Sequence, residues 1–150
     1  MGYTHYWDRR NVEISDTLWE AFAEDCRKIF EKHDGIICYE CDTPDKKPAI
    51  NSDHIRFNGK GSAGCETFLF ERAPIPKRRG STIPDLIFAF CKTALRPYDE
   101  VVVDVLSCAR HRFGNVAYIS SDGGDEVFKS FEEIAEKYDL TNNNIKTITT

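Results

Sequence analysis

With 150 residues, 41% of them hydrophobic and 30% charged, the chain is long enough to bury one real core and to fold as one domain. Its 20 Lys+Arg against 25 Asp+Glu give a net charge of −5, which argues against broad contact with DNA or RNA backbones but permits a small anionic ligand held by a few cations. No apolar run reaches membrane-span length. "MGYTHYWDRR" lacks a signal-peptide shape and carries Tyr6 where the myristoylation pattern needs Ser or Thr, so a cytosolic protein without membrane contact is expected.

The first element is a short strand at "GYTHYW". Tyr3, His5 and Trp7 alternate and share one face, with Tyr6 on the other. Such a face can stack a purine and hydrogen-bond its edge, and His5 is also a general acid–base candidate. An aromatic core strand with a satisfied histidine is the competing reading. A helix follows, capped by Ser15 and carrying Leu18, Phe22, Cys26, Ile29 and Phe30 at helical spacing up to Asp34-Gly35.

"IICYEC" and "HIRFNG" read as strands, and "CETFLFER" completes a hairpin with the latter across "GKGSAG". In this hairpin Asn58 and Glu66 are candidates for ribose or base contacts, against the plainer reading of a flexible loop. Cys38 and Cys41 have zinc-ligand spacing. However, no second pair follows, and a strand points the two to opposite faces, so no metal and no cofactor are expected. All six cysteines read as free thiols.

The basic loop "APIPKRRGSTIP", with Lys77, Arg78 and Arg79, leads into "LIFAFCKT", which begins as a strand. From Pro97 a helix is expected, with Tyr98, Val101, Val102, Val105, Leu106, Ala109 and Phe113 on its apolar face and Gly114 as its stop. In "FCKTALRPYD" the residues Lys92, Thr93 and Arg96 precede this helix, where free N–H groups favour an anion. The plainer reading makes them solvated loop charges and a local cap. "NVAYIS" is a strand that runs into "SDGG", a second amide-rich mouth bearing Ser120, Ser121 and Gly123. "DEVFKSFEEIAEKY" reads as one final helix, and 141–150 as a frayed polar tail. The expected fold class is α+β: a single domain over 1–150, a mixed or antiparallel sheet packed by about three helices.

The blocks "MGYTHYW", "FNG", "ETF", "FCKTALRPYD" and "ISSDG", in this order over residues 1 to 123, resemble a family of small proteins carried by phages and prophages. Cys65 and Leu95 stand where more polar residues are expected of that pattern. The resemblance implies membership of the class that counters nucleotide-based bacterial immunity in the cytoplasm of an infected host. The leading expectation is a sponge that sequesters an adenine-nucleotide signal of cyclic ADP-ribose type. In it Lys92, Thr93 and Arg96 hold phosphate, Ser120, Ser121 and Gly123 form a second polar rim, Trp7 and Tyr98 stack, and His5, Asn58 and Glu66 meet base or ribose. The first alternative is a metal-independent phosphodiesterase cleaving cyclic dinucleotides, with His5, Glu66, Lys92 and Tyr98 as its machinery. The second is an inhibitor that binds a host protein through an apolar surface or the Lys77–Arg79 loop. A homo-oligomer sharing its pocket between subunits fits either small-molecule reading.

Overall fold

A computed structural model of the protein describes residues 2–73 and 85–140. The Lys77–Arg79 loop and the 141–150 tail lie outside these described residues. Three helices and two antiparallel sheets make the chain α+β.

Strand β1 (Thr4–Arg10) alternates as its sequence demands: His5, Trp7 and Arg9 are buried, while Thr4, Tyr6, Asp8 and Arg10 look outward. It is the centre of a three-stranded sheet between β6 (Leu86–Lys92) and β7 (Ala117–Ser121), antiparallel to both. The outer face of this sheet sets large exposed hydrophobics beside Asp8, Arg10 and Lys92. Phe88 and Tyr118 are each 60% exposed, and Phe88 stacks on Tyr6 with ring centroids 5.9 Å apart.

In the second sheet, β4 (His54–Gly59) pairs with β2 (Ile37–Cys38), β3 (Ala49–Ile50) and β5 (Phe68–Glu71). The hairpin expected between β4 and β5 is present, with a 3-10 turn at Gly61–Ala63 in its loop. The strand expected at residues 36–41 shrinks to two residues, because Thr43 turns the chain. Its hydroxyl accepts from Glu40 N at 3.1 Å, and its amide donates to Glu40 O at 2.9 Å. Cys41 therefore lies in a turn rather than in a strand.

Helix α1 (Asp16–Lys32) starts at Ser15, whose hydroxyl accepts from Leu18 N at 3.3 Å, a cap typically worth about 1 kcal/mol. Helix α2 (Asp99–Phe113) begins two residues after the expected Pro97, with Tyr98 at its N-cap. Its expected apolar face, Tyr98 through Phe113, is fully buried, and Gly114 closes it at φ 53°. The final segment is not one helix. A 3-10 turn at Asp125–Val127 precedes α3 (Phe131–Tyr138), which Ser130 and Glu133 open with a reciprocal capping box.

The core is aromatic. Phe70 of β5 lies 5.3 Å from Phe22, 5.7 Å from Phe113, 6.1 Å from Trp7 and 6.4 Å from Trp19, tying both sheets to both long helices. A second buried feature joins the helices: Arg112 donates from Nε and Nη2 to the two carboxylate oxygens of Asp25 at 2.8 and 2.9 Å. Among the described residues no helix is long and apolar enough to cross a membrane.

Candidate functional site

The register of the three-stranded sheet sets one row of inward residues side by side: Cys91 on β6, His5 on β1 and Ser121 on β7. Directly opposed residues of antiparallel strands share a face, so all three side chains meet the same layer. That layer is the N-terminal end of α2, brought there by the loop after β6. Thr93 N and Ala94 N both donate to Tyr3 O, at 3.0 and 3.1 Å, and Ala94 and Leu95 take φ of 52° and 57°. Two successive non-glycine residues in the left-handed region bend the chain sharply and are unfavourable unless their surroundings hold them. The bend delivers Asp99 onto His5.

The result is a relay. His5 Nε2 lies 2.7 Å from Asp99 Oδ1, and His5 Nδ1 lies 2.9 Å from Ser121 Oγ. The Thr93 hydroxyl donates to the same Asp99 oxygen. Burial pushes the Asp99 carboxyl up, and the hydrogen bonds from His5 and Thr93 more than offset it, leaving Asp99 below its ordinary value. An ionised carboxylate only accepts, so the proton between the two sits on His5 Nε2. In the uncharged ring the Nδ1 lone pair then faces the Ser121 hydroxyl, which donates to it. Gly123 N donates to Ser121 Oγ at 3.0 Å and orients it. His5 is fully buried, with the Tyr3 ring edge-on at 5.2 Å and Phe128 at 5.9 Å, while Ser121 is only half-buried.

The anion at the mouth of α2 is therefore part of the chain. Thr93, expected to hold phosphate, is fully buried and bonded to Asp99. Lys92 projects from the outer face of the sheet, opposite Thr4, and is exposed. Arg96 donates to Ser62 O at 2.8 Å. The three do not form one cradle.

Trp7, expected to stack a base, packs in the core against Phe68 at 5.1 Å and is 2% exposed. Tyr98 is fully buried, and its hydroxyl donates to Glu66 O at 2.6 Å. Asn58 is committed to its hairpin: its amide nitrogen donates to Cys65 O and Thr67 Oγ1, and its oxygen accepts from Gly59 N and Cys65 N. These side chains are taken up by the core and the hairpin.

Glu66 is exposed and accepts Lys92 N at 2.7 Å. Ser120 faces outward beside Tyr6, on the opposite face from Ser121. Of the expected residues, His5, Thr93, Ser121 and Gly123 converge. Tyr3, expected on the purine-stacking face, instead packs edge-on against His5; Asp99 and Phe128 join without having been singled out as ligands.

Cys91, in the same row as His5, is fully buried, and burial pushes its thiol up to about 12. The described surface clefts are lined by other residues, one of them by Val12, Ile14, Leu18, Phe113 and Val116. Of the relay's members, Ser121 and Asp99 are half-buried and His5 is fully buried. Elsewhere, His33, Glu100 and Asp104 place ligand-type atoms within 4.8 Å of one another. Lys137 already supplies a cation there, bonding Glu100 at 2.5 Å and Asp104 at 2.7 Å.

Comparison with protein-family models, with curated proteins and with solved structures finds no match for this chain.

Proposed function

We propose that the chain is a metal-independent hydrolase of phosphodiesters that acts on a nucleotide signal of bacterial immunity, with His5 as its proton-transfer group. The observation that carries this reading is the Asp99–His5–Ser121 relay. A histidine with one nitrogen fixed by a carboxylate and the other on a partly exposed hydroxyl is an arrangement for moving a proton at a reacting oxygen. The substrate class rests on the resemblance to phage and prophage proteins. The small size of the domain and its acidic balance fit a small ligand better than a polymer.

A second reading, sequestration of the intact signal, is favoured by the complete burial of His5 and by a hydrogen-bond network satisfied without a ligand. It lacks the stacking and phosphate groups expected of Trp7 and Thr93. Incubating the protein with cyclic dinucleotides and a cyclic ADP-ribose-type molecule in EDTA separates the two readings, with free and protein-retained fractions resolved by mass. Hydrolysed product that disappears in His5→Ala supports the enzyme. Intact ligand released only on heating supports the sponge, and no change in either fraction overturns both.

A further inference from the structure

We infer that Ser121 is the nucleophile of this site and forms a covalent phosphoseryl intermediate, which names the reacting atom of the hydrolase reading and rests on it. Two mechanisms are open to a histidine-based phosphodiesterase: the ring can activate a water, or it can activate a side chain. Here the position that a water would need is filled. The lone pair of His5 Nδ1 meets Ser121 Oγ at 2.9 Å, and the other ring nitrogen is held by Asp99.

The hydroxyl is also preset. Gly123 N donates to one lone pair of Ser121 Oγ while its hydrogen points to the ring, which leaves another lone pair for attack. Glycine leaves room for this approach: a Cβ at position 123 would stand 2.0 Å from Tyr3 Oη and 2.7 Å from Val127 Cγ1, so a larger residue has to displace those side chains. Ser121 is half-buried at the end of β7, and the His5 ring behind it is fully covered, while Asp99 beyond the ring is itself half-buried.

In the first step Ser121 Oγ attacks phosphorus, His5 Nδ1 takes the hydroxyl proton, and the bond to one ester oxygen breaks. That oxygen departs in line, opposite Ser121 Oγ, and takes its proton from solvent, while His5 releases the proton it took to solvent before the second step. In the second step His5 takes a proton from water, the resulting hydroxide attacks phosphorus, and Ser121 departs with the proton returned. One water is consumed, and one alcohol and one phosphate monoester are formed. Asp99 is a positioning residue: it fixes the tautomer and stabilises the charged ring.

The test uses a fluorophosphonate, which transfers its phosphonyl group to an activated serine with loss of fluoride. The folded wild-type chain is expected to gain one adduct, mapped to Ser121 and absent in Ser121→Ala. His5→Gln should slow labelling about 100-fold or more. Asp99→Asn serves as a second variant should His5→Gln fail to fold, with melting temperature checked for each.

No adduct, an adduct on another serine, or an unchanged rate in both variants overturns the inference. Labelling of Ser121 without turnover of any nucleotide keeps the nucleophile and removes the substrate. Nucleotide turnover that survives in Ser121→Ala removes the serine and keeps the hydrolase.

Discussion

Asp99 occupies the first position of α2 and holds His5 Nε2 at 2.7 Å, so the helix end that the sequence offers to a foreign anion is filled by the chain's own carboxylate. The helix dipole favours that charge, and Thr93 and His5 each donate to it. Asp99→Asn should lower any hydrolytic rate by roughly 100- to 10,000-fold, since the ring loses its fixed tautomer. Because Asp99 titrates below its ordinary value, its contribution to stability is fully present above pH ~4 and is lost as pH falls through the lower folded value. Acid melts of wild type and Asp99→Asn should therefore converge at low pH.

Gly123→Ala should disable the site more than the fold. Its Cβ would meet Tyr3 Oη at 2.0 Å and Val127 Cγ1 at 2.7 Å, and Tyr3 packs edge-on against His5. Such crowding costs roughly 1–3 kcal/mol. Gly35→Ala, which meets nothing within 4 Å, is the control and should leave both the melting temperature and fluorophosphonate labelling unchanged.

Phe70→Ala should cost about 3–5 kcal/mol in denaturant melts, because the ring joins Trp7, Trp19, Phe22 and Phe113 in one buried cluster. Phe88→Ala, on the exposed face of the first sheet, should change stability by no more than about 0.5 kcal/mol. Equal effects would contradict this assignment of inside and outside.

Asp25→Ala should cost about 3–5 kcal/mol, since it strands the buried Arg112 guanidinium without its carboxylate. Replacing both, as Asp25→Leu with Arg112→Met, should cost less than the single change, because desolvation of two charges is avoided. A double-mutant cycle by chemical denaturation measures the difference.

Mild acid should weaken the fold through two histidines. Burial lowers the proton affinity of His33, with Glu100 and Asp104 opposing and Lys137 adding to the effect; burial also lowers that of His111. Each ring then binds fewer protons folded than unfolded below pH ~6.5, so stability falls as pH drops through that value and levels off below the folded one. The melting temperature should be lower at pH ~5.5 than at pH ~7.5, and His33→Gln should narrow the gap.

The long helices were legible because their periodicity is local. The seven apolar residues from Tyr98 to Phe113 repeat at helical spacing, and all seven are buried. The start of α3 was legible too, had the Ser130-to-Glu133 spacing been weighed as a capping box against the continuous pattern from Asp125. Trp7 shows what alternation leaves open: period two groups it with Tyr3 and His5 but does not say that this face is the interior. The strand Ala49–Ile50 is too short to carry any period. Asp99 stands in the first turn of α2, where an acid is ordinary, and nothing near it in the sequence announces His5.

The relay draws on residues from nearly the two ends of the described chain, His5 being 94 positions from Asp99 and 116 from Ser121. Closing such long loops is slow and entropically late, so these three groups meet only once β1 has paired with β7 and α2 has docked on that sheet. On the hydrolase reading, a fragment lacking either β1 or β7 is expected to carry none of the chemistry, and a stalled folding intermediate should offer no reactive serine. Labelling at Ser121 during refolding should then appear only with the last step that brings β1, β7 and α2 together.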